Sequence, residues 1–341
     1  MINDSSTSGS APPRLFSTLG KGFNIVANHI QLILIPVLVD LVLWLGPKLR
    51  VKQLLTPTLD TFINTSLTIV PADMKDFFTS SQSLWQGLLD QFNLFTAVRT
   101  IPVGVPSLMA RLSPITSPLK GSLVLEAPSS STAVAVLGVM LVLGFALGTL
   151  YFDSLNRYSA SELEKLDWKR LGNEFVQSLA LFVILILMAI LVSMPLMLIT
   201  SVLTLLSPGI GQVVLLLGAF VIIWMLVPLV FAPHGIFVQR YKAFYSLTYS
   251  LRLVRAFLPG TGMFVMVSAL ISESLNMLWQ LPESANWLTL VGIGGHAFVV
   301  TGLIAATFVY YRDGIAWMQY NMQRFDAALK QQNGGVPLAK Q

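Results

Sequence analysis

Cysteine is absent from this chain of 341 residues, histidine occurs three times, and only 11% of the side chains are charged. The first absence excludes disulfides, thiolate nucleophiles, iron–sulfur clusters and cysteine-ligated zinc. Three scattered histidines leave no conventional metalloenzyme site, so no metal is expected. A charged fraction below half of the ~25% usual in soluble domains argues against a water-soluble core. The chain also lacks a GxxxxGK[ST] phosphate loop, an HExxH helix and a GxSxG elbow, so no catalytic motif or cofactor is indicated and a non-enzymatic role is expected.

What fills the chain instead is apolar length. Six runs, roughly 30–49, 132–152, 176–200, 213–230, 260–279 and 288–311, each come close to the ~20 residues with which a helix crosses ~30 Å of hydrocarbon. The expected fold class is all-α: an integral membrane helical bundle of about six transmembrane helices, with amphipathic interfacial helices and one long extracytoplasmic loop, about 50–131. A single membrane domain, 14–330, is expected between a disordered N-terminus, 1–13, and a disordered tail, 331–341. Residues 1–13 are small, polar and acidic, with no apolar run until about Ile30, so the first run reads as an uncleaved anchor.

Lysine and arginine are retained on the cytoplasmic side of short loops. Arg157, Lys165, Lys169 and Arg170 follow the second run, and Arg240, Lys242, Arg252 and Arg255 follow the fourth, whereas the links 207–211 and 281–287 carry none. Both termini are therefore expected on the cytoplasmic side of the membrane. Lys48, Arg50 and Lys52 after the first run oppose this, but they open a loop of a length that translocates largely regardless of charge.

An apolar stripe at i, i+3, i+7, i+10 and i+14 recurs before three runs and after the last. Its members are Phe16, Leu19, Phe23, Val26 and Ile30; then Trp168, Leu171, Phe175 and Phe182, with Ser178 as the exception; then Phe244, Leu247, Leu251, Val254 and Leu258; and lastly Ile315, Met318, Met322, Phe325 and Leu329. The pattern predicts three units of amphipathic helix plus hairpin, with a fourth amphipathic helix closing the chain. Lys242, Arg252 and Arg255 are placed to contact anionic lipid headgroups, beside Tyr241, Tyr245 and Tyr249. The net charge of +5 lies mainly next to the membrane, which favours anionic lipid over nucleic acid as partner. Ser161-Glu162-Leu163-Glu164 reads as a capping box. In the long loop, 73–95 reads as an amphipathic helix with Phe77, Leu84, Leu88 and Phe92 on one side, and 100–131, with five prolines, as an irregular cover.

Ionisable residues inside spans are costly and default to functional candidates. Asp40, Glu273 and His296 qualify. At 1.5 Å per residue, Glu273 and His296 reach nearly the same depth on runs of opposite direction, so they are expected to meet. Ser272, Asn276 and Gln280 extend a polar stripe beside Glu273, and Gly292, Gly294 and Gly295 admit a close helix next to His296. These residues describe either a proton relay lining a polar cavity or interhelical hydrogen bonds that fix packing, the second being favoured. His29 and His234 are expected at the interface, and Asp153, Arg312 and Asp313 as charges at helix ends.

The segment 226–254, LVPLVFAPHGIFVQRYKAFYSLTYSLRLV, carries a proline-ended run, a short loop and an amphipathic helix with Ala243 to Ser250 near an a-l-x-x-S pattern. It resembles the polytopic membrane domain of uncharacterised bacterial proteins that is fused, in some, to glycerophosphodiester phosphodiesterases. The resemblance covers roughly 165–315 and implies a helical bundle with a role in transport or membrane organisation. No phosphodiesterase catalytic domain accompanies it, so hydrolysis is not implied. The leading expectation is a scaffold or membrane component of a transport or envelope-lipid system, with membrane-protein partners. The alternatives are a stand-alone proton-coupled transporter using Glu273, His296 and Asp40, and an intramembrane lipid-acting enzyme, for which no nucleophile or base can be assembled.

Overall fold

The computed structural model describes residues 11–69, 75–114, 116–119, 123–160 and 165–334; the capping box at 161–164 and the end of the tail lie outside them. In chain order the elements are α1 (Leu15–Asn28), α2 (Leu34–Leu45), β1 (Lys48–Arg50), α3 (Lys52–Ile69), α4 (Lys75–Gln91), α5 (Leu108–Leu112), β2 (Val124–Glu126), α6 (Ser130–Tyr158), α7 (Trp168–Leu206), α8 (Pro208–Leu226), α9 (Ala232–Gln239), α10 (Ala243–Ala256), α11 (Leu258–Trp279) and α12 (Thr289–Gly334). The fold is helical throughout, with one short pair of strands among the described residues.

Among the described residues four helices, α6, α7, α11 and α12, are long and apolar enough to cross a membrane. The first predicted run lies in α1 and α2, which pass the same test only together and are bent by 93° at the break between them, making five spans if the pair is one. The fourth run lies in α8, whose segment Gly209–Ile222 is apolar but shorter. α7 is one helix of 39 residues with Pro195 inside it, roughly 58 Å long. The amphipathic segment after the last run is not a separate helix, because α12 continues through it for 46 residues in all, and so reaches into the expected tail. Likewise Trp168 to Phe182 is simply the start of α7. Only α10 stands as a separate helix ahead of one long enough to span, and α1 as one ahead of the shorter α2. Their breaks share one backbone conformation, φ −133° and ψ 62° at His29 and φ −143° and ψ 56° at Phe257. At the second break Pro259, in the first turn of α11, has no N–H to offer the preceding helix.

The chain divides into two compact units, the first made of Met1–His29, Asp153–Ile271 and Gly302–Gln341, the second of Ile30–Phe152 and Ser272–Thr301. In the first, α7 and α8 pack as a hairpin joined by Ser207 alone. α10 packs on α9 through a buried face of Ala243, Ser246, Leu247, Ser250, Leu253 and Val254. Ser246 Oγ donates to the Ala232 carbonyl at 2.5 Å, and small side chains there let the two backbones approach. An aromatic core stands behind them: Phe264 stacks on Tyr310 at 4.3 Å, and Phe231 on Tyr310 at 5.6 Å.

α1 lies against α12 where Gly22 meets the backbone of Gly302 and Ala306. A Cβ on Gly22 would stand 2.5 Å from Ala306 N and Gly302 O, neither of which can rotate away, whereas one on Gly20 would meet nothing within 4 Å. Gly22→Ala is therefore expected to destabilise by about 1–3 kcal/mol, the cost of overpacking. Gly20→Ala is expected to stabilise by up to about 1 kcal/mol, from helix propensity alone. Thermal denaturation of both variants in detergent checks the opposed signs, and a shift in the same direction would refute the contact.

In the second unit the long loop is more ordered than an irregular cover. β1 pairs parallel with β2, Lys48 opposite Val124 and Arg50 opposite Glu126, around a core of Leu49, Val51, Leu94 and Ala127. Asn93 Oδ1 accepts from Leu49 N at 3.0 Å and Phe95 N at 3.2 Å. α4 forms within the predicted 73–95 and packs on α3, which sequence reading left unassigned; Lys52 bridges to Asp90 at 2.6 Å and Gln82 donates to Asp60 at 2.9 Å. The apolar side of α4 faces outward, with Leu84 69% and Leu88 59% exposed.

Candidate functional site

The polar residues singled out inside the spans come together in the second unit, with one partner that sequence reading missed. Glu273, on α11, does not pair with His296. It takes Arg111, at the end of α5, in a two-pronged bridge, Nη1 to Oε1 at 2.9 Å and Nη2 to Oε2 at 2.8 Å. His296, on α12, donates or accepts at Nδ1 with Asn276 Oδ1 at 2.8 Å, and since a carboxamide oxygen only accepts, Nδ1 carries the proton. Asn276, one turn beyond Glu273, is also within hydrogen-bonding reach of its carboxylate. The outcome is a chain, Arg111–Glu273–Asn276–His296, in which the expected pair is linked through an amide. His296 Nε2 is buried and has no hydrogen-bond partner among the described residues. Ser272 and Gln280 are half-buried on the same stripe, and neither side chain joins the chain.

Two of the three glycines act as foreseen. Gly292 and Gly295 lie against Trp279, where a Cβ would come within 2.5 Å of its carbonyl and 2.7 Å of its indole; Gly294 faces open space.

Asp40 is placed by α2 and fully buried. Its carboxylate accepts from Ser107 Oγ at 2.5 Å, Leu108 N at 3.1 Å and Met109 N at 2.8 Å, so it caps the N-terminus of α5 from another helix. Ser107 completes the cap by accepting from Ala110 N at 2.9 Å. α5 is short, and this cap fixes the segment that delivers Arg111. Arg99 stands near both acids: burial and the neighbouring Arg111 pull its guanidinium below the ordinary value, while Asp40 and Glu273 draw it up. Further along the cover, Lys48 Nζ donates to the Pro114 carbonyl and Trp44 Nε1 to the Ser284 carbonyl at 2.8 Å.

The first unit holds a second polar network that sequence reading treated as loop charge. Asp153, fully buried, accepts from Arg157 Nε at 2.8 Å and Arg170 Nη2 at 2.7 Å. Arg170 Nε also lies 3.5 Å from Glu174, which is 1% exposed. Arg312, on α12, donates to Asn156 Oδ1 at 2.6 Å, the Asn156 carbonyl at 2.8 Å and Ser159 Oγ at 2.6 Å. Asn156 in turn donates to the Phe237 carbonyl at 2.9 Å. The network ties the ends of α6, α7, α9 and α12 together within the unit. His234, expected at the interface, is instead buried beside Phe308 at 4.4 Å, with Nε2 2.7 Å from Thr307 Oγ1. His29 is half-buried with its ring 4.5 Å from Tyr158.

Lys242, Arg252 and Arg255 are all exposed, on the side of α10 opposite its buried face, with Phe244 68% exposed among them. Tyr241 lies 4.6 Å from Tyr245 and 5.3 Å from Tyr249, ring to ring. An outward face of cations and aromatics is what an interfacial helix presents to headgroups. No group of three or more metal-ligating side chains occurs among the described residues. The helices long enough to span make this a chain compatible with a multi-pass membrane protein. No family model, curated protein or solved structure matches it.

Proposed function

We propose that the chain is a non-catalytic, multi-pass component of the bacterial cytoplasmic membrane, with both termini in the cytoplasm, serving as scaffold or membrane part of a transport or envelope-lipid system. The observation that carries this is the use made of the in-span polar groups. Asp40 is taken up as a helix cap, Glu273 by Arg111 and His296 by Asn276, an arrangement that fixes packing. The exposed Lys242, Arg252 and Arg255 support anionic headgroups as partners, and the resemblance of 226–254 to a polytopic membrane domain agrees with the reading. Proton-coupled transport is the second reading. Its support is the unpartnered, buried Nε2 of His296, a site able to take a proton beside Glu273.

Proteoliposomes carrying a pH-sensitive dye separate the two. Glu273→Gln and His296→Ala are expected to leave proton flux at the wild-type level while lowering thermal stability. For Glu273→Gln the loss is about 1 kcal/mol or less, because both partners of the bridge are about half exposed, 43% and 54%. A wild-type flux that both variants abolish would replace the scaffold reading with the transporter.

A further inference from the structure

A cleft of about 430 Å³ opens in the first unit, within the ~300–1,000 Å³ range of small-molecule sites. One wall is α1, where Lys21, Asn24 and Asn28 recur at i, i+3 and i+7 and so form a single stripe. Arg312 and Asp313 of α12 and Tyr158 of α6 line the cleft as well. Asn24 and Asn28 are exposed, and neither carboxamide makes a hydrogen bond among the described residues. The Arg312 guanidinium is held in place by Ser159 and Asn156, at 2.6 to 2.8 Å, so its charge is fixed at the wall before any ligand arrives. Lys21 lies 3.5 Å from Asp313 and is 57% exposed.

Two cations, one carboxylate and two idle amides are a poor match for a simple anion or a simple cation. We propose that this cleft binds the headgroup of an aminoethyl phosphate ester, a phosphate carrying a primary ammonium. The phosphate lies between Lys21 and Arg312, with the carboxamide N–H groups of Asn24 and Asn28 donating to its oxygens. The ammonium replaces Lys21 as the partner of Asp313, with the Tyr158 ring beside it. A quaternary ammonium has no N–H to give Asp313, so a choline ester is the natural discriminator. Arg312 directly follows the last apolar run, the depth at which headgroups lie, so a membrane lipid and a soluble ester of the same chemistry are the two sources. The inference rests on the reading of the chain as a component of a lipid system in the membrane.

Native mass spectrometry of the full chain in mild detergent tests it, with an equimolar mixture of phosphatidylethanolamine, phosphatidylcholine and phosphatidylglycerol of matched acyl chains. The wild type is expected to retain the ethanolamine lipid about tenfold over either competitor, the worth of one charge-assisted hydrogen bond. Asp313→Asn is expected to bring ethanolamine and choline lipids to parity, and Lys21→Met to weaken retention of all three. Asn24→Leu, at an exposed position, is expected to weaken retention with an unchanged Tm, which separates binding from folding. Displacement of bound lipid by millimolar glycerophosphoethanolamine assigns the site to the soluble ester, and its failure assigns it to the lipid; either sustains the proposed chemistry. Equal retention of the three lipids by the wild type, or an Asp313→Asn ratio equal to the wild type's, overturns it. The proton-flux comparison uses none of these residues, so the scaffold reading stands or falls separately.

Discussion

Asp153→Ala is expected to lower stability by about 3–5 kcal/mol. The carboxylate has no exposure and holds two guanidinium groups, Arg157 and Arg170, whose side chains are 14% and 10% exposed. Removing it takes from Arg157 the carboxylate it bridges to and leaves Arg170 to the longer, 3.5 Å contact with the buried Glu174. Leaving a charge uncompensated is what makes such a change costly; the pair itself contributes far less. The combined variant Asp153→Leu, Arg157→Met, Arg170→Met, Glu174→Leu, which also removes the buried carboxylate beside Arg170, is therefore expected to lose less than the single change, although it deletes more contacts. Chemical denaturation in detergent, followed by tryptophan fluorescence, gives both values. A single variant within 1 kcal/mol of wild type would mean that water reaches the network and that it organises nothing.

The second large effect is at Asp40. Asp40→Ala leaves the N–H groups of Leu108 and Met109 without acceptors, and both residues are almost fully buried, at 0% and 1% exposure. Each of these two lost bonds to an ionised acceptor is worth about 1.5–3 kcal/mol in place, so a total of about 3–6 kcal/mol is expected. Asp40→Asn recovers only part of it, because one of the two acceptor oxygens becomes a donor facing other donors. The loss is local as well as global. Limited proteolysis is expected to cut between Arg99 and Arg111 in Asp40→Ala before any other site in the second unit opens. Cleavage order identical to wild type would show that α5 is held by something other than this cap.

The cores of α6, α7, α8 and α11 were legible in the sequence because apolar length is a local signal, whereas α3, the bend between α1 and α2 and the continuation of α12 to Gly334 were not. Neither was the orientation of each helix about its axis. On α7 the predicted stripe contains Trp168, which is 74% exposed, while the face that is buried carries Glu174, Ser178 and Leu181, including the very serine that broke the pattern. On α10 Leu247 and Val254 of the predicted stripe are buried, but Phe244 faces out and Ala243, Ser246 and Ser250 join the inward face. Both departures have one cause. The water-based rule sends apolar residues inward, but in hydrocarbon the apolar face has no reason to hide, and small or hydrogen-bonding residues are what helices bring together. Of the candidate site, Glu273, Asn276 and His296 were found because a polar residue within an apolar run is conspicuous. Arg111 was not, since it lies 162 residues from Glu273 in sequence, in a loop where an arginine is unremarkable. Lys21, Asn24 and Asn28 could have been noticed as a polar stripe on a helix read only for its apolar one.

The single residue that joins α7 to α8 has a consequence for biogenesis. A link of Ser207 alone cannot separate the two helices, so a hairpin whose α7 is long and apolar enough to cross a membrane would enter one as a single object. No residue of the most apolar window of α7 is buried by the rest of the protein, so an emerging chain has nothing of its own with which to shield that window from water.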